Sequence, residues 1–572
     1  MRNRIESQEF MPAPNDQPPE NYLHPAPWQQ DFPPLAVHDM FFETAARMGD
    51  APFLDFLGRS FSYAVIADEA RRLAKGLQDR GIGKGDCVGL YLPNVPHYLA
   101  AYYGAMAAGA RVVNFSPLYT VDELSHQVED SGTTVLFTVS AAALLPTALE
   151  VLDKSSLESL IVGSVAEILP TLKGLAYRLF KRSEVAAIPA DSRITKYADL
   201  LANDGRYEPA PCDPETDVAL LQYTGGTTGT PKGAKLTHQN ITSNARQINL
   251  IDPESRANKG DEAATDRILG VLPFFHVFAN ATVLNRTVSN GGEIVMLPRF
   301  NAKDALAAIS RTKVTAMPGV PTMYQALLDH PDMAKTDFST LRACISGGAP
   351  LAGELKARFE AASDAAVIEG YGLTESSGVI SCNPYDGLNK LGSIGQPIPG
   401  TQVRLVDKED PTKPPPDGEP GELIAKGPQI MAGYWNRPDA DAEVFEGGWL
   451  RTGDVARIDE DGFIFIVDRM KDMIAVGGFK VFPSQVEEVL YKHEAVKECL
   501  VIGVPDDYRG ESPRAFVTLN DGADVDGSAL SKWLNPKLGK HERCDSVIVR
   551  DELPKTMIGK LDRKALRAEV LG

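Results

Sequence analysis

Two kinds of apolar pattern alternate along most of the chain, and this alternation restricts the fold more than any other feature. Residues 62–82 carry apolar side chains at helical spacing, whereas residues 86–94 form a short apolar run that is typical of a buried strand. The same order returns in the helical segment 97–110 and the strand-like segment 111–117. Because strands that alternate with helices form parallel sheets covered on both faces, we predict an α/β fold as far as residue 370.

The pattern changes further along the chain. From residue 391, short β-rich runs with many glycines and prolines predict a small antiparallel or barrel-like unit. Residues 480–572 return to mixed α/β character, with a helix predicted over 486–496 and a strand over 499–506. Residues 1–35 are polar and rich in proline, which predicts an irregular N-terminal arm.

The composition excludes several classes of protein. The formal net charge is −19, from 58 basic and 77 acidic residues, and a nucleic-acid partner would require a basic face. Six scattered cysteines form no CxxC pair, so we expect buried thiols in a reducing cytoplasm, without a disulfide framework or a zinc site. The N-terminus lacks the apolar core of a secretory signal, and the longest apolar run, at 98–113, is too short to span a membrane.

The negative charge is unevenly distributed. Residues 469–572 contain 17 basic and 17 acidic residues, which leaves 41 basic and 60 acidic residues in 1–468. The whole excess therefore lies in the longer part. Local cations, and not the global field, must attract any anionic substrate.

The most informative motif is the segment Tyr223–Gly233, which holds four glycines and four threonines and follows an apolar run. Backbone N–H groups exposed by glycine, several hydroxyl groups and the ammonium of Lys232 together form a cradle for phosphate. The segment is not a Walker A loop, because no Gly-Lys pair in the chain is followed by serine or threonine. A glycine-rich linker is the alternative interpretation.

Three further motifs are individually weaker. Residues 370–375 place an aromatic ring, a hydroxyl and a carboxylate on one turn, which suits a purine, a phosphate and Mg²⁺. Residues 449–454, followed by 468–469, supply carboxylates and an arginine of the kind that bind ribose and phosphate. Residues 554–563 carry a lysine after a glycine, on a loop from which it can reach a developing negative charge. Each is equally compatible with an ordinary polar surface.

Taken in order, these four motifs resemble those of the acyl-adenylate-forming superfamily, over about residues 40–565. Further segments that fit are 272–276, 346–350 and 477–481. Within the superfamily the chain is most similar to bacterial long-chain fatty-acid–CoA ligases. The segments that carry this closer resemblance are 112–124, 370–386 and 392–401.

The resemblance implies a division of the chain at Asp468, the hinge of the family. Residues 36–468 are then a large adenylate-forming domain, built of two layered α/β subdomains and a small β-barrel-like subdomain. Residues 469–572 are a small mobile α+β domain. Composition alone favours a linker at 410–420, but the resemblance makes this segment a surface loop inside the large domain.

The reaction implied is the ATP-dependent activation of a medium- or long-chain fatty acid. The acid and ATP form an acyl-AMP and pyrophosphate, and coenzyme A then displaces AMP. Lys560, Thr374 and Glu375 are the expected catalytic residues, with Glu375 as the Mg²⁺ ligand. The expected ATP- and AMP-binding residues are Thr224, Gly225, Gly226, Thr227, Thr228, Gly229, Lys232, Gly348, Gly370, Tyr371, Gly372, Thr374, Asp454 and Arg469.

The acyl chain and coenzyme A have their own expected contacts. The acyl-binding residues implied are Phe275, His276, Phe278, Gly348 and Tyr371. The coenzyme A path is implied at Gly477, Gly478, Phe479 and Lys480, which a rotation about Asp468 brings to the site after Lys560 withdraws.

Several alternatives stay open at this stage. A fatty-acyl-AMP ligase that loads a carrier protein and an aryl–CoA ligase belong to the same superfamily, and a non-catalytic binding homologue is a different class. Residues 165–185 read either as a basic amphipathic helix on the inner membrane or as a plain surface helix. A cytoplasmic location, with or without peripheral membrane contact, and a homodimer are compatible with the resemblance.

Overall fold

The structure is a computed structural model, and it describes residues 19, 21–170, 182–224, 231–477, 479–520, 522–556 and 559–572. Its strands form four sheets, two in layered α/β units, one in a small antiparallel unit and one in the C-terminal domain. The predicted fold class is thereby confirmed: a large α/β domain precedes a small α+β domain.

The first sheet has seven strands, and all neighbours are parallel except the last pair. In spatial order these strands are Ile194–Lys196, Ser159–Gly163, Thr133–Val139, Cys87–Leu90, Arg111–Asn114, Val218–Tyr223 and Gly233–Thr237. The final antiparallel pair flanks the glycine- and threonine-rich segment: the strand Val218–Tyr223 ends at the carboxyl edge of the sheet, and the next strand begins at Gly233.

The second sheet has nine strands, with a parallel interior and antiparallel strands at both edges. In spatial order they are Gln396–Pro397, Ser381–Cys382, Ala366–Tyr371, Ala343–Gly347, Ala316–Gly319, Arg267–Gly270, Glu293–Met296, Pro52–Phe56 and Arg59–Ser62. The motif at residues 370–375 thus begins at the carboxyl end of an interior strand, where ligands bind in open α/β sheets.

The third sheet is antiparallel and forms the predicted small β unit. Its strands are Gln402–Val406, Gly421–Lys426, Trp449–Ile458, Phe445–Glu446 and Ile464–Arg469. The proline-rich segment 410–420 connects the first two of these strands as a hairpin loop.

The C-terminal sheet is mixed, with one parallel pair. Its strands are Phe479–Val481, Ile474–Val476, Gly510–Leu519, Val496–Asp506 and Val547–Val549, packed with the helices Pro483–Tyr491, Gly527–Leu534 and Arg563–Leu571. The helix predicted over 486–496 was wrong at its end: the helix stops at Tyr491, because Val496 pairs with Leu519 and already begins the long strand.

The helices of the large domain cover the two α/β sheets. Their bounds are Val37–Met48, Tyr63–Gln78, Pro96–Ala107, Val121–Ser131, Leu145–Lys154, Val165–Ile168, Tyr197–Leu200, His238–Ile251, Arg256–Lys259, Val277–Ala279, Arg286–Asn290, Ala302–Thr312, Pro321–Leu328, Gly353–Ser363 and Pro438–Val444, with a π-helix at Asn280–Asn285. Short 3₁₀ turns lie at Arg182–Glu184, Gly260–Glu262, Met333–Lys335, Thr374–Ser376, Met470–Asp472 and Asn535–Lys537.

Local signals explain why particular helices begin and end where they do. The hydroxyl of Thr120 accepts a hydrogen bond from the N–H of Glu123, whose carboxylate accepts from the N–H of Thr120, and left-handed Gly132 ends the helix. The apolar run at 98–113 becomes the helix Pro96–Ala107, buried on all sides, followed by a strand. Within the described part of the chain, no helix is both long and apolar enough to cross a bilayer.

The described part of the N-terminal arm contains no helix or strand, but hydrogen bonds hold it against the large domain. The indole N–H of Trp28 donates to the carbonyl of Thr401 at 2.9 Å, and the carbonyl of Trp28 accepts from the N–H of Gly400 at 2.7 Å. The side-chain amide of Gln396 bonds the backbone of Asn21 and Leu23. Most of the proposed amphipathic segment 165–185 lies outside the described residues.

Candidate active site

A cavity of about 520 Å³ lies where the large domain meets the C-terminal domain. Its lining divides into a polar part and an apolar part. The polar part includes Thr224, Lys232, Thr374, Glu375, Asp454, Arg469, Lys471 and Lys560. The apolar part includes Ile248, Ile251, Val277, Phe278, Ile345 and Val379.

The turn after the strand Ala366–Tyr371 supplies the first wall of the polar part. Five residues of the predicted site all line the cavity: Gly370, Tyr371, Gly372, Thr374 and Glu375. No side chain fits at Gly372, since an added Cβ would lie 1.7 Å from the carbonyl oxygen of Gly378. The glycine therefore lets the turn fold tightly and present the groups on either side of it.

Asp454 faces this turn from the third sheet. Its carboxylate accepts a hydrogen bond from the hydroxyl of Tyr371 and lies 3.4 Å from the guanidinium of Arg469. Burial raises the pKa of Asp454, while the charge of Arg469 and the bond from Tyr371 oppose that rise. A hydrogen bond and an ion pair thus join the three predicted nucleotide-binding residues into one group.

Tyr434 joins two further predicted residues, and the sequence motifs did not identify it. Its hydroxyl donates to Oε1 of Glu375 at 2.6 Å, and the ammonium of Lys232 lies 5.2 Å from its ring centroid. Burial and the neighbouring carboxylate of Glu375 raise the pKa of Tyr434, so its hydroxyl keeps its proton. Lys232 also lies 3.9 Å from the carboxylate of Glu443.

Lys560 enters the cavity from the C-terminal domain. Its side chain lies directly against the backbone of Gly348, where an added Cβ would be 2.2 Å from Cε of the lysine and 2.4 Å from Nζ. The loop is fixed by two hydrogen bonds: the N–H of Lys560 donates to the hydroxyl of Thr556 at 3.2 Å, and the hydroxyl of Thr322 donates to the carbonyl of Gly559 at 3.1 Å.

Burial, with a smaller contribution from the positive charge of Arg469, lowers the pKa of Lys560 to about 8. Nearby, burial and then the charge of Lys560 lower the pKa of His276 to about 3, so this imidazole is neutral at pH 7. Nδ1 of His276 accepts from the N–H of Phe278 at 3.2 Å, which fixes the ring at the cavity wall.

The structure brings four of the five predicted acyl-binding residues to the cavity. His276, Phe278, Gly348 and Tyr371 line it, whereas Phe275 is not among the described lining residues. The backbone carbonyl of Phe275 is bound at 2.9 Å by the side-chain amide of Gln222. The acyl-binding role of Phe275 stays a prediction; its neighbour Phe274 is buried in the core, whereas His276 lines the cavity.

The segment predicted for coenzyme A lies away from the cavity. None of Gly477, Phe479 and Lys480 is among the described lining residues. The exposed ring of Phe479 stacks on His541 with centroids 5.0 Å apart, and Lys480 pairs with Glu409 at 3.2 Å. The C-terminal domain thus presents Lys560, and not this segment, to the site.

Asp468, the predicted hinge, lies near the end of the strand Ile464–Arg469. Its carboxylate accepts from the N–H and the hydroxyl of Ser484, at 2.9 and 2.7 Å. These bonds tie the last strand of the large domain to the first helix of the next domain. Thr224 and Lys232 frame the glycine-rich segment, but Gly225, Gly226, Thr227, Thr228, Gly229 and Gly478 lie outside the described residues.

Comparison with known proteins agrees with this arrangement. Residues 41–435 match the model of the AMP-binding enzyme family, and residues 485–560 match that of the AMP-binding enzyme C-terminal domain. A long-chain-fatty-acid–CoA ligase of Bacillus subtilis is 39% identical over 96% of this chain and 97% of its own length. A feruloyl-CoA synthase of an Amycolatopsis species is 36% identical over 89% of this chain and 94% of its own length.

Among solved structures, an anthranilate CoA ligase in complex with anthranoyl-AMP has a TM-score of 0.82. It is 27% identical in sequence, and the match covers 95% of this chain and 98% of that one. The predicted resemblance is confirmed over nearly the whole length, and the chain belongs to the AMP-binding enzyme family of adenylate-forming acyl-CoA ligases.

Proposed function

We propose that this protein activates a medium- or long-chain fatty acid to its acyl-CoA. The acid first reacts with ATP to give an acyl-AMP and pyrophosphate, and the thiol of coenzyme A then displaces AMP. The observation that carries this proposal is the position of Lys560, held against Gly348 in a cavity that is polar in one part and apolar in the other. Relatives named long-chain-fatty-acid–CoA ligase support the choice of acid.

The first step joins two anions, so its barrier is largely electrostatic. A carboxylate oxygen attacks the α-phosphorus of ATP, the P–O bond to the β-phosphate breaks, and pyrophosphate leaves with the bonding electrons. The ammonium of Lys560 lies where it can neutralise charge on both reacting groups. His276 is neutral at pH 7 and adds no positive charge of its own to this space.

The remaining polar residues suit the nucleotide. We assign the ribose hydroxyls to Asp454, the ribose–phosphate link to Arg469, and stacking on adenine to Tyr371. Thr374 would bond the α-phosphate, and Lys232 with Thr224 would contact the outer phosphates. The hydrogen bond that Asp454 accepts from Tyr371 and its ion pair with Arg469 support a shared role for these three residues.

Glu375 fits Mg²⁺ by its donor chemistry. Mg²⁺ is commonly held by one or two carboxylates together with substrate phosphates, and one carboxylate oxygen of Glu375 is already oriented by Tyr434. Among the described residues, no group of three or more histidines, cysteines and carboxylates could hold a metal by itself. When bound, Mg²⁺ would neutralise phosphate charge.

The second step requires the C-terminal domain to turn. Lys560 occupies the site while Gly477, Phe479 and Lys480 are exposed outside the described lining, so the lysine and this segment cannot act in one arrangement. We assign the hinge to Asp468, where the described chain passes between the domains. This is a domain rotation about few residues.

A screen of pyrophosphate release tests the proposal. Saturated acids of increasing length, ferulate and anthranilate are each supplied with ATP and Mg²⁺, with and without coenzyme A. We expect the highest kcat/KM for medium or long saturated acids and a thioester only when coenzyme A is present. Pyrophosphate release with long acids and no thioester would favour loading of a carrier protein instead.

An aryl acid is the second candidate. The feruloyl-CoA synthase relative and the anthranilate CoA ligase structure favour it, since both activate aromatic acids according to their names. A kcat/KM for ferulate above that of every saturated acid would establish this candidate and contradict the fatty-acid proposal.

A further inference from the structure

Tyr385 lines the apolar part of the cavity, and its position suggests a role beyond packing. It lies three residues after Cys382, which also lines the cavity and pairs with Gly370 across neighbouring strands. Its ring packs against the apolar cluster that contains Ile248, Ile251 and Ile345. Tyr385 therefore belongs to the wall of the recess that would receive an acyl chain.

The strand Ala343–Gly347 gives the direction of this recess. Gly348, which follows the strand, contacts Lys560 at the polar part. At about 3.3 Å per residue, Ile345 lies roughly 10 Å back along the strand and Arg342 roughly 20 Å back. The recess thus extends from the reacting groups toward the amino-terminal end of this strand.

A buried cluster of charges lies at that end. Asp252, directly after the lining residue Ile251, bonds Arg286 at 2.6 Å and Arg342 at 3.2 Å. Arg342 also bonds Asp266 at 2.6 Å. The side chains of Arg286 and Asp252 have no solvent exposure at all, so the cluster is part of the interior.

Tyr385 lies near this cluster as well as at the recess. Its hydroxyl is shielded from solvent and has no hydrogen-bond partner among the described residues, and the same is true of Nε and Nη1 of Arg286. The two side chains are close enough for their charges to interact, since the positive charge of Arg286 opposes the rise that burial causes in the pKa of Tyr385. Tyr385 thus lines the recess and packs on the cluster of Ile251, whose next residue, Asp252, bonds Arg286.

We propose that Tyr385 is a specificity-determining residue whose ring forms the floor of the acyl recess and sets the longest chain that fits. This inference rests on the proposed acyl-activating function. Each methylene group that is buried in the recess strengthens binding by about fourfold. Beyond the floor a methylene group would meet buried ionic groups with unused N–H donors, so further length brings no gain.

Two substitutions of opposite size test the floor. Tyr385→Ala removes the ring, and we expect the chain length with the highest kcat/KM to increase by several carbons, with a gain of about fourfold for each methylene group that finds room. Tyr385→Trp should shift the optimum to shorter acids. Tyr385→Phe keeps the ring and should keep the wild-type profile. Leu388→Ala, an exposed neighbour outside the described lining, is the matched control.

A second experiment uses the buried guanidinium of Arg286, which lies beyond Tyr385 in our proposal. In Tyr385→Ala the enlarged recess ends at Arg286, so an acid with a terminal hydroxyl should be preferred over the methyl-ended acid of equal length by about tenfold. The wild-type enzyme should prefer the methyl-ended acid. A stability change alone does not produce this inversion.

The same acids are also titrated calorimetrically against each variant without ATP. The proposal that Tyr385 limits chain length is overturned if Tyr385→Ala and Tyr385→Trp both keep the wild-type length profile while their circular dichroism matches that of the wild type. It is also overturned if Leu388→Ala shifts the preferred chain length as much as Tyr385→Ala does. If no acid releases pyrophosphate, the proposed function fails, and length-independent calorimetric binding separately refutes the role of Tyr385.

Discussion

Replacing Lys560 by alanine should separate the two half-reactions. The ammonium lies in a buried site beside Gly348, where two unit charges about 4 Å apart interact by roughly 4 kcal/mol at an effective dielectric constant of 20. Loss of one such contact to the reacting groups corresponds to a decrease of about 10²- to 10³-fold in acyl-AMP formation. Thioester formation from supplied acyl-AMP and coenzyme A should be nearly unchanged, because in our proposal Lys560 has left the site by then.

The lowered pKa of Lys560 gives the free-energy cost of holding the protonated lysine in the cavity. Its usual value of 10.5 falls to about 8 in this arrangement, a difference that corresponds to about 3 kcal/mol. The cost falls on the protonated form, so it is fully present below about pH 8 and disappears as the pH rises to 10.5. Without ATP, the charged lysine is therefore disfavoured in the cavity, and phosphate charge offsets this cost.

The assay measures each half-reaction alone. Pyrophosphate release is followed in single turnovers without coenzyme A, and thioester formation is followed with synthetic acyl-AMP. Lys555→Ala is the matched control, since Lys555 lies on the same loop but pairs with Glu498 at 2.7 Å outside the described lining. Equal losses in both half-reactions of Lys560→Ala would refute the assigned role.

Three further results are expected. Gly348→Ala should lose acyl-AMP formation selectively, like Lys560→Ala. The φ of +81° at Gly348 strains any other residue, and the Cβ of an alanine there would occupy the place of the Lys560 side chain. Normal pyrophosphate release by Gly348→Ala would contradict this. In the wild type, kcat/KM for pyrophosphate release should fall as the pH rises through about 8, since the neutral amine cannot neutralise the reacting anions; a rise over this range would argue against the role. Asp252→Ala should lower the free energy of unfolding in urea by about 3–5 kcal/mol, because it leaves the buried charge of Arg286 without its closest partner; a loss under 1 kcal/mol would show that the cluster reorganises.

Much of the fold follows from local patterns in the sequence. The bounds of the helix Val121–Ser131 are set locally, because Thr120, Glu123 and Gly132 provide both of its caps within the segment itself. The helix predicted over 486–496 ends earlier, at Tyr491, because Val496 joins a strand through its distant partner Leu519. Local propensity decides such an end only when no long-range pairing competes with it.

The candidate site was also predictable only in those parts that local sequence determines. Glycine-rich turns and the ordered motifs identified the strands whose ends meet at the cavity. The contacts of Tyr434 with Glu375 and of Lys560 with Gly348 join segments far apart in the chain, so spacing within the sequence carries no sign of them. The same holds for the adjacent residues Phe274, Phe275 and His276: of these, only His276 is among the described lining residues, and this depends on the turn and not on residue type.

The N-terminal arm bears on how this protein can be shortened or fused. A chain that began at the helix Val37–Met48 would lose the indole that covers the carbonyl of Thr401 and the backbone that holds Gln396. Both residues belong to the edge where the second and third sheets meet. Trimming should therefore weaken the packing between these two sheets, far from the new terminus, whereas an affinity tag placed before residue 19 leaves these described contacts of the arm in place.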